Sequence, residues 1–213
     1  IAADWPVEVR ETAYYLRRDS VLSLEKPMDE KSATEFLADP LQPNTIPARG
    51  FPGAADARAF ETQSQVRTFT TAPLEQPVEW TGRVSADLYV SSSARDSDFI
   101  VRVSDVYPDG RSILIADYIL RARYREGFEK EVFMETDKIY NLAFQVGWMS
   151  QVFNRGHRIR VTVASTGAPF YETNPNTGEP LTIEPPEKSV VAKNRVYHER
   201  AHHSRILAPV RRD

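Results

Sequence analysis

The most constraining feature of the sequence is a regular alternation of apolar and polar residues between positions 80 and 163. In residues 83–90 (RVSADLYV) and 157–163 (HRIRVTV), apolar residues recur at every second position. Successive side chains of a β-strand point to opposite faces, so this period is typical of strands with one face on a core and the other in water. The alternation and the turn signals between the runs predict central strands at residues 83–91, 98–106, 111–117, 138–147 and 157–165.

Weaker strand signals flank this central stretch. Residues 12–24 resemble a hairpin with a polar turn, and single strands are predicted at residues 66–71, 190–197 and 205–210. Two long segments rich in turn-forming residues, 27–58 and 167–189, are predicted to be loops, with at most one short helical turn at residues 32–37. The whole pattern predicts an all-β, antiparallel sandwich with long proline-rich loops and little helix.

The composition limits the function classes. A chain of 213 residues with 41% hydrophobic residues can form one sandwich domain, which we expect to comprise residues 1–213. The net charge of −3, with cations spread among acids, does not suggest a nucleic-acid partner, and no apolar run approaches the roughly 20 residues that span a bilayer. The absence of cysteine excludes disulfides and thiolate chemistry. The chain begins without Met, so we expect it to be part of a larger protein.

The sequence contains no recognisable catalytic machinery. No Gly-x-Ser-x-Gly turn is present, although a hydrolytic serine usually lies on such a strained turn. Of the four histidines, His157 and His198 lie in predicted strands and are expected to be structural, and the His202-His203 pair is expected in an exposed turn. We therefore predict no catalytic residue, no metal site and no cofactor in these residues.

Two groups of charged residues in the central stretch each have two possible interpretations. The cations of residues 121–126 are either ion-paired along an edge segment or part of an anion site. The acids around the central hairpin could do acid–base work or bind calcium, but turn capping and ion pairs with Arg95, Arg102 and Arg111 are the simpler interpretation. These acids are Asp96, Asp98, Asp105, Asp109 and Asp117.

Three aromatic residues suggest an alternative function. Trp148, Phe170 and Tyr171 could form a platform on which a sugar stacks, or they could belong to the core or to an interface. A carbohydrate-binding module and a purely structural or oligomerising domain therefore stay open beside an accessory domain of an enzyme.

Several motifs, in order along the chain, resemble one known family. It is the C-terminal domain of the X-Pro dipeptidyl-peptidase, cocaine-esterase and α-amino-acid-ester-hydrolase group of serine hydrolases. The resemblance covers roughly residues 5–212. The motifs are residues 91–99 (SSSARDSDF), 105–111 (DVYPDGR), 119–126 (ILRARYRE), 152–160 (VFNRGHRIR), 174–178 (NPNTG), 194–198 (NRVYH) and 204–210 (SRILAPV).

The resemblance implies a jelly-roll β-sandwich of galactose-binding-domain-like topology. It also implies that the catalytic Ser, Asp and His lie on a preceding α/β-hydrolase domain that these residues do not include. That domain would be the partner of this chain and would bind the small acyl or peptide substrate, whether the bond cleaved is an X-Pro peptide, an ester or an amide. A sandwich separated from this partner is expected to expose an apolar patch and can self-associate.

The resemblance also supplies candidate site residues. In the family, a loop of the sandwich helps to wall the acyl pocket, and the equivalent segment here is residues 44–53, which is shorter and lacks the usual Gly-Gly run. Ile46 and Phe51 are thus expected at the substrate pocket. Trp5, Phe51 and Asp56 are expected at the interface with the hydrolase domain.

Overall fold

The computed structural model describes residues 8–47, 55–179 and 186–212. Regular structure in these residues is mostly strand, with one helical turn, α1, at Arg58–Glu61 and short 3-10 turns at Arg18–Ser20, Ala122–Tyr124 and Pro186–Lys188. The strands are β1 Val9–Arg17, β2 Val21–Ser23, β3 Ala33–Ala38, β4 Arg67–Thr70, β5 Val78–Ser92, β6 Asp98–Val106, β7 Ser112–Arg121, β8 Tyr140–Phe153, β9 Arg158–Ala164, β10 Ala192–Tyr197 and β11 Arg205–Arg211.

The described strands form one hydrogen-bonded sheet that folds over into the predicted all-β sandwich. Its order is β3-β10-β5-β11-β1-β2-β4-β9-β6-β7, and β8 pairs with the other edge of β5. The two layers are joined where Val21 of β2 pairs with Thr70 of β4, and this pair of strands is parallel while the other pairs among the described strands are antiparallel. The first layer therefore centres on β5 and the second on β6 and β9.

The alternating residues found in the sequence fill the space between the layers. Val84, Ala86 and Leu88 of β5 face Val101 of β6 and Val161 of β9 in one core cluster. At one end of this core the indole ring of Trp80 lies 5.0 Å from the ring of Tyr14 and 5.1 Å from that of Phe153, measured between centroids. Burial of such large rings is a main source of stability in a sandwich.

Strand β6 departs from the alternating pattern because it is covered on both faces. All nine of its residues are buried. Phe99, Val101 and Val103 point into the main core, and Ile100 belongs to a second cluster on the opposite face. The other buried members of that second cluster are Ile46, Phe60, Val66 and Ala164. Ile46, Phe60 and Val66 thus cover part of the outer face of the second layer.

The structure corrects the prediction for residues 32–37. This segment does not form a helical turn but belongs to β3, which pairs antiparallel with β10 through Phe36 and Asn194. Phe36 and Ala38 are buried while Leu37 is exposed, so the strand has the expected period of two over a length too short to be recognised. Strands β5 and β8 are also longer than predicted, and they pair with each other across a register shift at Val84 and Ser85.

Candidate functional site

The first residues of the predicted pocket loop, 44–46, are bound to the sandwich. We call these residues and those that contact them the loop base. Residues 44–46 lie beside Ala168 in a parallel bridge, in which Ile46 N–H donates to the Ala168 carbonyl at 2.7 Å and Ala168 N–H donates to the Asn44 carbonyl at 2.9 Å. The side chain of Ile46 is 2% exposed and packs in the second cluster beside Phe60 and Ile100. Ile46 is therefore a core residue of the second cluster, and its contact with a substrate pocket stays a prediction.

The returning end of the same loop is held by strand β7. Ala57 N–H donates to the Ser112 carbonyl at 2.6 Å, and Leu114 N–H donates to the Ala55 carbonyl at 3.1 Å. The Asp56 carboxylate accepts hydrogen bonds from the Arg58 guanidinium at 2.6 and 2.9 Å, which holds the pKa of Asp56 below its usual value. Asp56 is thus engaged within the chain, and its place at a domain interface stays a prediction.

Two of the predicted site residues, Trp5 and Phe51, lie outside the described residues. The loop base nevertheless contains residues that no sequence signal indicated. One is Gly167, where an added Cβ would lie 2.9 Å from Ile46 Cδ1 and 3.1 Å from Ile100 Cδ1. Another is Gln63, whose side-chain amide bonds to the backbone of Thr45. Neither an isolated glycine nor an isolated glutamine stands out without the fold.

A hydrolytic triad requires one histidine that bonds both a serine and a carboxylate. His198 Nδ1 lies 2.8 Å from Ser32 Oγ, but its Nε2 lies 2.9 Å from Thr34 Oγ1 instead of a carboxylate. His157 makes only the carboxylate contact of a triad, since its Nδ1 lies 2.8 Å from Asp105 Oδ1. In residues 8–47, 55–179 and 186–212, no histidine combines the two contacts.

The environment of His198 gives the fold a pH dependence. Burial lowers the pKa of His198 below its ordinary value of about 6.5. Its ring faces Ser32, Thr34 and Phe69, with Glu199 and Asp29 nearby. A lowered pKa in the folded state means that the unfolded chain takes up the proton first as the pH falls.

We expect acidification from pH 7.5 to 5 to lower the melting temperature of the wild type more than that of His198→Gln. The His198 contribution is fully present above pH about 6.5, and it is lost as the pH falls from there towards the lower pKa of the folded protein. Thermal unfolding followed by circular dichroism at several pH values measures the difference. Equal slopes in the two proteins would contradict the assignment to His198.

The acidic residues of the central hairpin are occupied by ion pairs and hydrogen bonds. The predicted partners are correct for Asp109, paired with Arg111 at 2.8 Å, and for Asp117, whose carboxylate lies 3.6 Å from Arg102. Asp105 instead bonds His157. Asp109 also caps its turn by accepting the Arg111 N–H at 3.0 Å, whereas Asp105 in β6 and Asp117 in β7 make their contacts from within strands.

The cation-rich segment is ion-paired, as the simpler interpretation predicted. Arg121 pairs with Asp98 through two hydrogen bonds of 2.9 Å, and Arg123 Nε donates to Asp96 Oδ2 at 2.7 Å. Asn174 bridges the two acids with 2.8 Å hydrogen bonds to Asp96 and Asp98. This network joins the end of β7 to the 174–178 turn and leaves its cations committed to protein partners.

The remaining sites of interest lie at the surface. The Trp148 side chain is 68% exposed on β8, opposite Arg83 of β5, and Phe170 is about half exposed beside the loop base. Sugar stacking at Trp148, Phe170 or Tyr171 stays a prediction, as does self-association through exposed apolar residues. Among the described residues, no group of three or more His, Asp or Glu side chains is arranged to hold a metal ion, and no helix could cross a membrane.

Comparison with known proteins identifies the sandwich. The model of the X-Pro dipeptidyl-peptidase C-terminal non-catalytic domain matches residues 2–207. The chain belongs to this family.

Relatives of this family member include esterases and an aminopeptidase. The cocaine esterase of Rhodococcus sp. strain MB1 Bresler is 40% identical over 188 residues, which are 84% of this chain and 32% of the esterase. An aminopeptidase from a Thaumarchaeota archaeon matches 97% of this chain and 38% of its own, with a TM-score of 0.90 and 29% identity. An α-amino acid ester hydrolase matches 94% and 36%, with a TM-score of 0.88 and 28% identity. The chain therefore spans about a third of the length of these relatives.

Proposed function

We propose that this chain is the C-terminal domain of a serine hydrolase of the α/β-hydrolase type, in which it packs on the catalytic domain and helps to wall the substrate pocket. Family membership carries the proposal, because the matching model describes a non-catalytic domain and the relatives are about three times longer than this chain. In this proposal the partner domain supplies the nucleophile, and residues 1–213 form one accessory domain.

The structure of the loop base supports a role as a wall. A side chain that shapes a pocket must be held from outside the pocket, since a displacement of about 1 Å can cost a large part of the rate. Both ends of the 48–54 segment meet this requirement, one against Ala168 and the other against Ser112 and Leu114. We propose that Phe51 contacts the acyl group of the substrate and that Ile46 fixes the loop beneath it. Trp5 and Asp56 are proposed to contact the catalytic domain.

The test compares acyl selectivity in the full-length hydrolase. Phe51→Ala is expected to change the ratio of kcat/KM for an aromatic acyl ester to that for an acetyl ester by about tenfold, because a lost apolar contact in a pocket is worth roughly 1–3 kcal/mol. Leu41→Ala is the matched control, since Leu41 is an exposed apolar residue of the same proline-rich region. An unchanged ratio in Phe51→Ala would reject the role of the loop as a wall.

A second test measures ester hydrolysis by the isolated chain. It should hydrolyse 4-nitrophenyl acetate no faster than its Ser32→Ala variant, because Ser32 is the described serine that contacts a histidine ring. Turnover that a serine-directed inhibitor abolishes would show that the domain has its own nucleophile and would overturn the proposal.

A further inference from the structure

The side chain of Gln63 takes the place of a neighbouring strand at the loop base. Gln63 Oε1 accepts the Thr45 N–H at 2.7 Å, and Gln63 Nε2 donates to the Thr45 carbonyl at 2.7 Å. In an antiparallel sheet, a hydrogen-bonded residue pair exchanges these same two bonds through the backbone. With Ala168 on the opposite side, the 44–46 segment lies between a backbone and an amide side chain that imitates one.

Gln63 is itself fixed to the sandwich by the helical turn that precedes it. Its Nε2 also donates to the Ala59 carbonyl at 2.9 Å. Within α1, Phe60 is buried in the second cluster, and Glu61 bonds Ser112 at 2.7 Å and Arg160 at 2.6 Å. Contacts with β7 and β9 thus fix α1, α1 fixes the side chain of Gln63, and the Gln63 amide fixes the backbone of Thr45.

We infer that Gln63 is a positioning residue that sets where the pocket loop leaves the sandwich, and so tunes the acyl selectivity of the hydrolase without touching the substrate. This inference rests on the proposed role of residues 44–53 as a pocket wall. A primary amide is required because the Thr45 peptide presents one donor and one acceptor. A carboxylate offers no donor and a leucine offers neither group.

Gln65 provides a matched control two residues away. Its Oε1 accepts the Asp39 N–H at 2.9 Å, and its Nε2 donates to the Gln42 carbonyl at 2.9 Å. Gln63 and Gln65 are therefore both half-buried glutamines that hold a loop backbone with two side-chain hydrogen bonds. Of these two glutamines, Gln63 is the one that bonds residues 44–46.

The experiment measures kcat and KM of the full-length hydrolase for an aromatic acyl ester and an acetyl ester. Gln63→Leu is expected to raise KM for the aromatic ester by about threefold or more and to leave kcat for the acetyl ester unchanged, because the triad is undisturbed while the wall shifts. Gln63→Glu keeps the acceptor and loses the donor, so it should show the same change in KM. Gln65→Leu should also lose thermal stability, because it too removes two hydrogen bonds to a loop backbone, and it should keep the wild-type selectivity.

The outcomes separate this inference from the proposed function. If Phe51→Ala changes selectivity but both Gln63 variants and Gln65→Leu behave like the wild type, the positioning role is wrong and the wall stands. If Phe51→Ala and the Gln63 variants all keep wild-type selectivity, both proposals fail. A selectivity change in Gln65→Leu equal to that in Gln63→Leu would also reject the inference, because general loosening would then explain it. If Gln63→Leu does not fold, the KM of Gln63→Glu decides.

Discussion

Replacement of Asp96 by alanine is expected to lower the free energy of unfolding by about 3–5 kcal/mol, the usual cost of breaking a buried ion pair from one side. The Asp96 and Arg123 side chains are 0% and 3% exposed. Asp96 accepts hydrogen bonds from Arg123 Nε, from the Arg123 backbone N–H and from Asn174 Nδ2. Its removal leaves a guanidinium that water cannot reach, with Glu131 as the remaining acidic partner.

Equilibrium unfolding in urea, followed by tryptophan fluorescence, measures this loss. The control is Glu135→Ala, which removes an exposed ion pair with Lys138 and is expected to cost less than about 1 kcal/mol. The double variant Asp96→Ala/Arg123→Met should recover much of the stability, because an apolar side chain replaces the stranded charge. A loss below about 1 kcal/mol in Asp96→Ala would mean that the network contributes little to the fold.

Replacement of Ile46 by alanine is the second large effect, with an expected loss of about 2–5 kcal/mol. Ile46 packs against Phe60, Ile100 and the backbone at Gly167, so a cavity would form on the outer face of β6. Ile46→Val should lose only about 0.5–1.5 kcal/mol. The same urea titration measures both variants.

Leu41→Ala is the natural comparison for Ile46→Ala. Leu41 belongs to the same proline-rich region but is exposed, so its loss should stay within about 0.5 kcal/mol. A small effect of Ile46→Ala would show that Ile46 is not part of the core, and a direct place in the substrate pocket would then become the better interpretation.

The sequence predicted the strands in which apolar and polar residues alternate. Strand β9 and the central part of β5 were recognised because Ile159, Val161 and Val163 alternate with polar residues. Strand β6 was located, but its burial on both faces was not predicted, since Ile100 and Arg102 are covered by a segment far away in sequence. Strand β3 was missed because its six residues, next to several prolines, carry too little pattern.

The candidate site was predicted less completely, for a different physical reason. Motif resemblance led to residues 44–53 as the pocket loop, but the residues that hold it act through single hydrogen bonds and close approaches. Gln63 meets Thr45 and Gly167 meets Ile46 only after the chain has folded, and no local periodicity encodes such meetings. The partners in the ion pairs are also set by the fold, since Asp96 pairs with Arg123 and not with the neighbouring Arg95.

The anchoring of Ile46 and Ala55 on either side of the intervening segment has a consequence for how this domain can vary between relatives. The entropy of closing a flexible segment grows only slowly with its length, so insertions and deletions between two fixed points change the stability of the sandwich little. Natural variation can therefore rewrite this short stretch, and with it the acyl selectivity that we propose it to set, while selection on the rest of the scaffold continues undisturbed.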